Sequence, residues 1–162
     1  MTDPKPFKVN VEDLPWEDYG SLGRYGSTDR LVSDAIHAKR LDTCVTRLAP
    51  GKVSCPYHFH HMGEELFIVL EGTGSLRING ETLPLKPLDV FSCPPGPTGA
   101  HQITNDGDVP LVYFAISTVD EVELCEYPDS GKILAHAHNA GQPVSYVHRK
   151  ADAVPYMDGE TP

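Results

Sequence analysis

The chain has 162 residues, enough for one domain with its own core. Its 13 basic residues stand against 23 acidic ones, a net charge of −10 with no dense run of Lys and Arg, so long-range repulsion argues against a nucleic-acid partner. No apolar run approaches the ~20 residues that a membrane-spanning helix needs. The polar Met1-Thr2-Asp3-Pro4 start does not read as a signal peptide, and a cytoplasmic location without membrane contact is the expectation.

Fifteen prolines and 14 glycines favour many turns and few long helices, and so an all-β fold. Residues 1–40, rich in Pro, Gly and charge, are expected to form an irregular arm laid over a barrel. The barrel core is expected over residues 41–118, and residues 119–162 form a C-terminal extension. Leu41–Leu48 alternates loosely and closes on Pro50-Gly51, so it reads as a strand. Leu66–Leu70 is an unbroken apolar run containing Ile and Val. It reads as a strand buried on both faces, or as a barrel strand that also packs on a partner. Leu76 and Ile78 alternate with polar neighbours up to Asn79-Gly80, the pair a type I′ hairpin turn favours, and Leu83 and Leu85 return the chain. Asp89–Cys93, His101–Asn105 and Leu111–Ser117 supply further short strands, a spacing that fits a sandwich or closed barrel. Beyond Asp120 only a turn at Pro128-Asp129-Ser130-Gly131 and one late strand at Val144–Val147 are legible. Cys44, Cys55, Cys93 and Cys125 are scattered, without a C-x-x-C pair, and read as reduced core residues.

The chemistry concentrates in four residues. In His58-Phe59-His60 the period of two puts both imidazoles on one face of a strand. Glu65 has the opposite parity and joins them only if the chain turns near Met62-Gly63. His101 follows a loop rich in Pro and Gly (Pro94, Pro95, Gly96, Pro97, Gly99) and opens a strand that pairs back towards the first. Three neutral imidazoles and one carboxylate suit one divalent transition-metal ion: Fe, Mn, Co, Ni or Zn. In an octahedral ion four protein ligands leave two positions open.

These residues resemble the two motifs of the cupin superfamily. Gly51, His58, His60, Glu65 and Gly72 fill the first, and the six residues between Glu65 and Gly72 select Glu65 over Glu64. Pro94, Gly96, His101 and Asn105 fill the second. The chain departs from the pattern in three places. Six residues, not five, separate Gly51 from His58; Leu88 stands where a Gly is expected; and four residues, not two, separate Gly96 from His101. The resemblance covers residues 41–118 and implies an antiparallel double-stranded β-helix, or jelly-roll, with the metal in its mouth and often a homodimer through outer strands. Tyr57–His61, Glu64-Glu65-Leu66 and Tyr127–Lys132 look more narrowly like small bacterial cupins, some labelled sugar-phosphate (mannose-6-phosphate) isomerase-like.

Plainer readings hold for the other candidates. His61 suits the rim and Glu64 a solvated position, while His136 and His138 read as a polar loop and His37 and His148 lack context. Cys55 and Cys93 suit packing, Asn105 a structural turn, and Phe67 and Val69 the barrel lining. Arg47, Lys52 and Arg77 are candidates for binding an anion near the pocket. The leading functional reading is a metal-dependent isomerase, lyase or dioxygenase acting on a small oxygen-rich molecule. The other is a non-catalytic binder of a sugar or small acid. No Gly-rich or Arg-rich segment supplies a phosphate cradle, which weakens the sugar-phosphate version.

Overall fold

The computed structural model describes residues 7–139 and 142–161. Its strands are β1 (Glu17–Leu22), β2 (Tyr25–Leu31), β3 (Leu41–Leu48), β4 (Phe59–His60), β5 (Glu65–Glu71), β6 (Gly74–Ile78) and β7 (Glu81–Leu85). They continue as β8 (Val90–Cys93), β9 (His101–Thr104), β10 (Leu111–Thr118), β11 (Val122–Tyr127), β12 (Lys132–Asn139) and β13 (Gln142–Arg149). A short α-helix, α1 (Val32–Ile36), follows β2. Six strands form one sheet in the order β1-β2-β3-β10-β5-β8. Facing it are β13-β12-β11-β4 and β7-β6-β9, joined by a bridge between His58 and His101. All the named strand pairs are antiparallel, and the two layers close into a jelly-roll around a core of Leu48, Phe67, Val69, Leu76, Ile103, Leu111 and Tyr113.

Period-two patterning explains which faces meet. Phe67 and Val69 of β5 point inward and are buried, while Leu66 and Leu70, flanking them, stay 36% exposed. The run Leu66–Leu70 is therefore buried on one face and partly open on the other. The β6–β7 turn is the type I′ hairpin the sequence suggests, with φ of 46° at Asn79 and 82° at Gly80. Leu88 carries φ 74°, a backbone state that favours glycine, which accounts for the Gly expected there by the motif. Gly72 combines φ 77° with a carbonyl of Pro110 pressed against the place a Cβ would take.

Two expectations are corrected. The N-terminal arm is not irregular: β1 and β2 form a hairpin, and β2 pairs with β3 through Thr28–Arg47, Asp29–Thr46, Arg30–Val45 and Leu31–Cys44. Its inward positions include Ser27 and Asp29, so the apolar alternation that marks a strand is missing. After Asp120 there are three strands rather than one, and β11 closes the barrel wall against β4. His136 and His138 accordingly lie on a strand, not in a loop, and the side chain of His138 falls outside the described residues.

Asn105 ties the loops behind the site. Fully buried, it donates through Nδ2 to the carbonyls of Leu48 and Val109, both at 2.8 Å, and accepts from the Gly107 amide at 3.0 Å. Asn105→Ala would strand these buried groups, so a loss of about 3 kcal/mol in urea unfolding is expected. A change below ~0.5 kcal/mol would show that the loops hold themselves.

Candidate functional site

The four sequence candidates converge on the barrel mouth. His58 and His101 exchange backbone hydrogen bonds, His58 N to His101 O at 3.2 Å and His101 N to His58 O at 2.8 Å, which sets their rings 4.6 Å apart. His60 lies two residues beyond His58, on β4. Glu65 begins β5 and extends its Oε2 to 3.2 Å from His101 Nε2 and 3.5 Å from His60 Nε2. Donor atoms of His58, Glu65 and His101 all lie within 4.8 Å of one another, and a second such set is His58, His60 and Cys125.

The hydrogen-bond pattern around the rings fixes what the site can hold. His58 Nδ1 faces the Pro56 carbonyl at 2.9 Å, and His101 Nδ1 faces the Gly99 carbonyl at 3.0 Å. A carbonyl only accepts, so each Nδ1 carries the proton and each Nε2 presents a lone pair to the site. Glu65 Oε2 is buried with no hydrogen-bond partner among the described residues. A lone pair opposite a carboxylate oxygen is repulsive unless a proton or a cation lies between them. Neutral imidazoles oriented from behind, with one carboxylate, make a donor set that fits a divalent transition-metal ion.

Burial shifts the protonation equilibria. Desolvation lowers the His58 pKa and takes that of His101 down to about 3, with the neighbouring His58 adding to the effect at His101. Desolvation also raises the Glu65 pKa, partly offset by His60 and His58. Burial therefore moves His58 and His101 towards their neutral forms and Glu65 towards its protonated form.

Residues outside the two motifs complete the surroundings. The turn at Met62-Gly63 is anchored by Glu123 of β11, whose carboxylate accepts from the amides of His61 at 3.1 Å, Met62 at 3.3 Å and Gly63 at 2.8 Å. The same carboxylate stands 3.6 Å from His60 Nδ1. Gly63 is needed for room rather than for a left-handed backbone, since a Cβ would meet Glu123 Oε2 at 3.0 Å. Cys125 lies opposite His60 in the β11–β4 pairing, and Tyr127 stacks on His58 with centroids 5.9 Å apart. Cys55, read as a packing residue, has its thiol 3.5 Å from His58 Nδ1 and lines the cavity. Burial pushes the thiol of Cys55 up to about 11 and that of Cys125 to about 12. The sequence offers no reading of Glu123, takes Cys125 as a core residue and Tyr127 only as part of a resembling segment; their spacing of two, one face of a strand, is the signal that joins them.

The remaining candidates lie elsewhere. His61 sits at the rim, its Nε2 3.0 Å from Glu126 Oε1, and Glu64 is exposed. The three basic residues do not converge on the histidines. Arg77 is held by Asp129 at 2.6 and 2.9 Å, Arg47 bonds Thr28 and lies over Trp16, and Lys52 donates to the Gly23 carbonyl.

The His101 ring stays neutral in the folded chain but charges near pH 6.5 when unfolded. Its contribution to stability is thus full above pH 6.5 and is lost as pH falls from there towards 3. In metal-free protein, imidazole NMR is expected to show His101 as the neutral Nδ1–H form from about pH 7 to about pH 5. A midpoint near 6.5 would refute that environment.

Comparisons with known proteins agree with this architecture. The family described as Cupin domain matches residues 44–117. Auxin-binding protein 1 of Arabidopsis thaliana is 31% identical over 134 residues, covering 76% of this chain and 65% of that protein. This chain therefore spans less than two thirds of the length of the auxin-binding proteins it matches. The oxalate-binding protein of Thermotoga maritima is 30% identical over 97 residues, covering 60% of this chain and 78% of that one. Among solved structures, a protein provisionally named a sugar phosphate isomerase, from Acidithiobacillus ferrooxidans, superposes with a TM-score of 0.80 at 25% identity. That superposition covers 92% of this chain and 96% of the other. With two motifs, a jelly-roll barrel and these relatives in agreement, the chain belongs to the cupin family.

Proposed function

We propose that this cupin is a metal-dependent enzyme: His58, His60, Glu65 and His101 hold one divalent transition-metal ion beside a cavity for a small, oxygen-rich molecule. The observation that supports it is Glu65 Oε2, buried and unpartnered opposite imidazole nitrogens whose far edges are occupied by backbone carbonyls. A bound ion of this kind supplies Lewis acidity towards a carbonyl or carboxylate oxygen. The protein's own groups do the rest. Glu65 offsets one of the two positive charges, and the carbonyls of Pro56 and Gly99 hold two imidazoles in the tautomer that donates Nε2. Phe67 and Ala115 give the cavity an apolar wall that limits water, and we assign Asp42 at its mouth to take or return a proton.

Aldose–ketose isomerisation is the finer reading that the Acidithiobacillus similarity favours. Lyase or iron-dependent dioxygenase chemistry uses the same ligand types. Relatives named for binding oxalate and auxin favour instead a barrel that holds a small acid without converting it. The two classes separate on whether metal-loaded protein returns a bound carbonyl compound changed or unchanged. We also read the half-open outer face of Leu66, Leu70 and Val90 as the contact of a homodimer. Sedimentation at the mass of two chains is expected; the mass of one would reject it.

His58→Ala and Glu65→Gln are expected to abolish stoichiometric metal in elemental analysis, and one ion per chain in both variants would refute the ligand assignment. In a cobalt-substituted protein, added azide is expected to change the visible spectrum by entering an open position. A closed tetrahedral spectrum indifferent to azide would point to a structural ion.

A further inference from the structure

The cavity beside the histidines has a volume of about 300 Å³ and is lined at one end by His58, Glu65 and His101 and elsewhere by Asp29, Thr46 and Tyr113. Asp29 comes from β2, outside residues 44–117 that the family match covers. Its pairing with Thr46 sets it on the inward face of the sheet, with Ser27 and Leu31 two residues to either side. The residue is only 6% exposed. One carboxylate oxygen, Oδ2, accepts from Ser27 Oγ at 3.1 Å, and the nearby Thr46 side chain favours the charged form of the carboxylate. The other, Oδ1, is buried and has no hydrogen-bond partner among the described residues. Arg30, the adjacent cation, faces the opposite side and lies over Trp16 at 4.3 Å, so it does not neutralise Asp29.

An acceptor buried without a donor is costly to fold, and a ligand that donates to it removes that cost. The charged residues of the lining sharpen which ligand that is. Asp29, Asp42 and Glu65 are acidic, and no Lys or Arg among the described residues lines the cavity. A divalent ion next to Glu65 leaves one positive charge at the histidine end. A phosphate group elsewhere in the cavity would meet Asp29 with no cation to offset it. A hydroxyl would find a ready acceptor.

We propose that Asp29 is a specificity-determining residue that accepts a hydrogen bond from a ligand hydroxyl, so that the site takes an uncharged, polyhydroxylated molecule, such as an unphosphorylated sugar, rather than a phosphate ester. This rests on reading the cavity as the small-molecule site of a metal-holding cupin. It assigns the far end of that ligand to the N-terminal hairpin.

The test is calorimetric titration of the metal-loaded full chain with D-fructose and with D-fructose 6-phosphate, alongside metal analysis of every sample. Wild type is expected to bind fructose more tightly than its phosphate. Asp29→Ala is expected to weaken fructose about 10-fold or more without loss of metal, the size of one hydrogen bond to a charged group. Asp29→Asn keeps the shape and removes the charge, and is expected to move the preference towards the phosphate ester, a shift that a purely structural role would not produce. Tighter binding of the phosphate by wild type, no binding of either sugar, or a preference unchanged in both variants would overturn the proposal. Should Asp29→Ala fail to fold, wild type and Asp29→Asn still decide it. Wild type that holds no metal would defeat the parent reading as well; metal held together with phosphate preference would defeat this inference alone.

Discussion

A single buried oxygen governs the mouth of this barrel. Glu65 Oε2 lies out of water, 3.2 Å from one imidazole nitrogen and 3.5 Å from another, with no donor of its own. The carbonyls of Pro56 and Gly99 hold the protons of His58 and His101 on the far edges of their rings. What remains at the centre is a cluster of lone pairs that repel one another until something positive separates them. Burial raises the pKa of Glu65 and lowers those of His58 and His101, so each of the three groups is shifted towards its uncharged form.

The fold's connections can be read as the support of that cluster. Backbone bonding between His58 and His101 joins the two motifs across the barrel. The turn that reverses side-chain parity between His60 and Glu65 is held by Glu123, which reaches it from β11. The same strand lays Tyr127 on His58 and places Cys125 against His58 and His60. On the other side β2 extends the large sheet and carries Asp29 to the cavity wall. The segments before and after the motif region thus shape the pocket as much as the motifs do.

Legibility in the sequence followed the strength of local patterning. The hairpin at Asn79-Gly80 and the strands Leu41–Leu48 and Leu111–Ser117 are readable because inward and outward residues alternate or the turn chemistry is specific. The four candidate donors were readable from spacing, and the structure brings Glu65 rather than Glu64 to the imidazoles. β2 was not readable, since its inward residues line a polar cavity and so lack an apolar period. β11 and β12 are not legible, and β13 only as Val144–Val147, for a related reason: much of their surface stays partly exposed. Glu123 and Asp29 owe their positions to pairing across more than ten residues of sequence, which no local signal encodes.

The most direct test is a crystal structure of the metal-loaded protein with anomalous data at the metal edge. One ion per chain is expected, bound by nitrogens of His58, His60 and His101 and by a carboxylate oxygen of Glu65, with at least one position left to solvent. An ion bound elsewhere, or no ordered ion at those four residues after loading, would contradict the account.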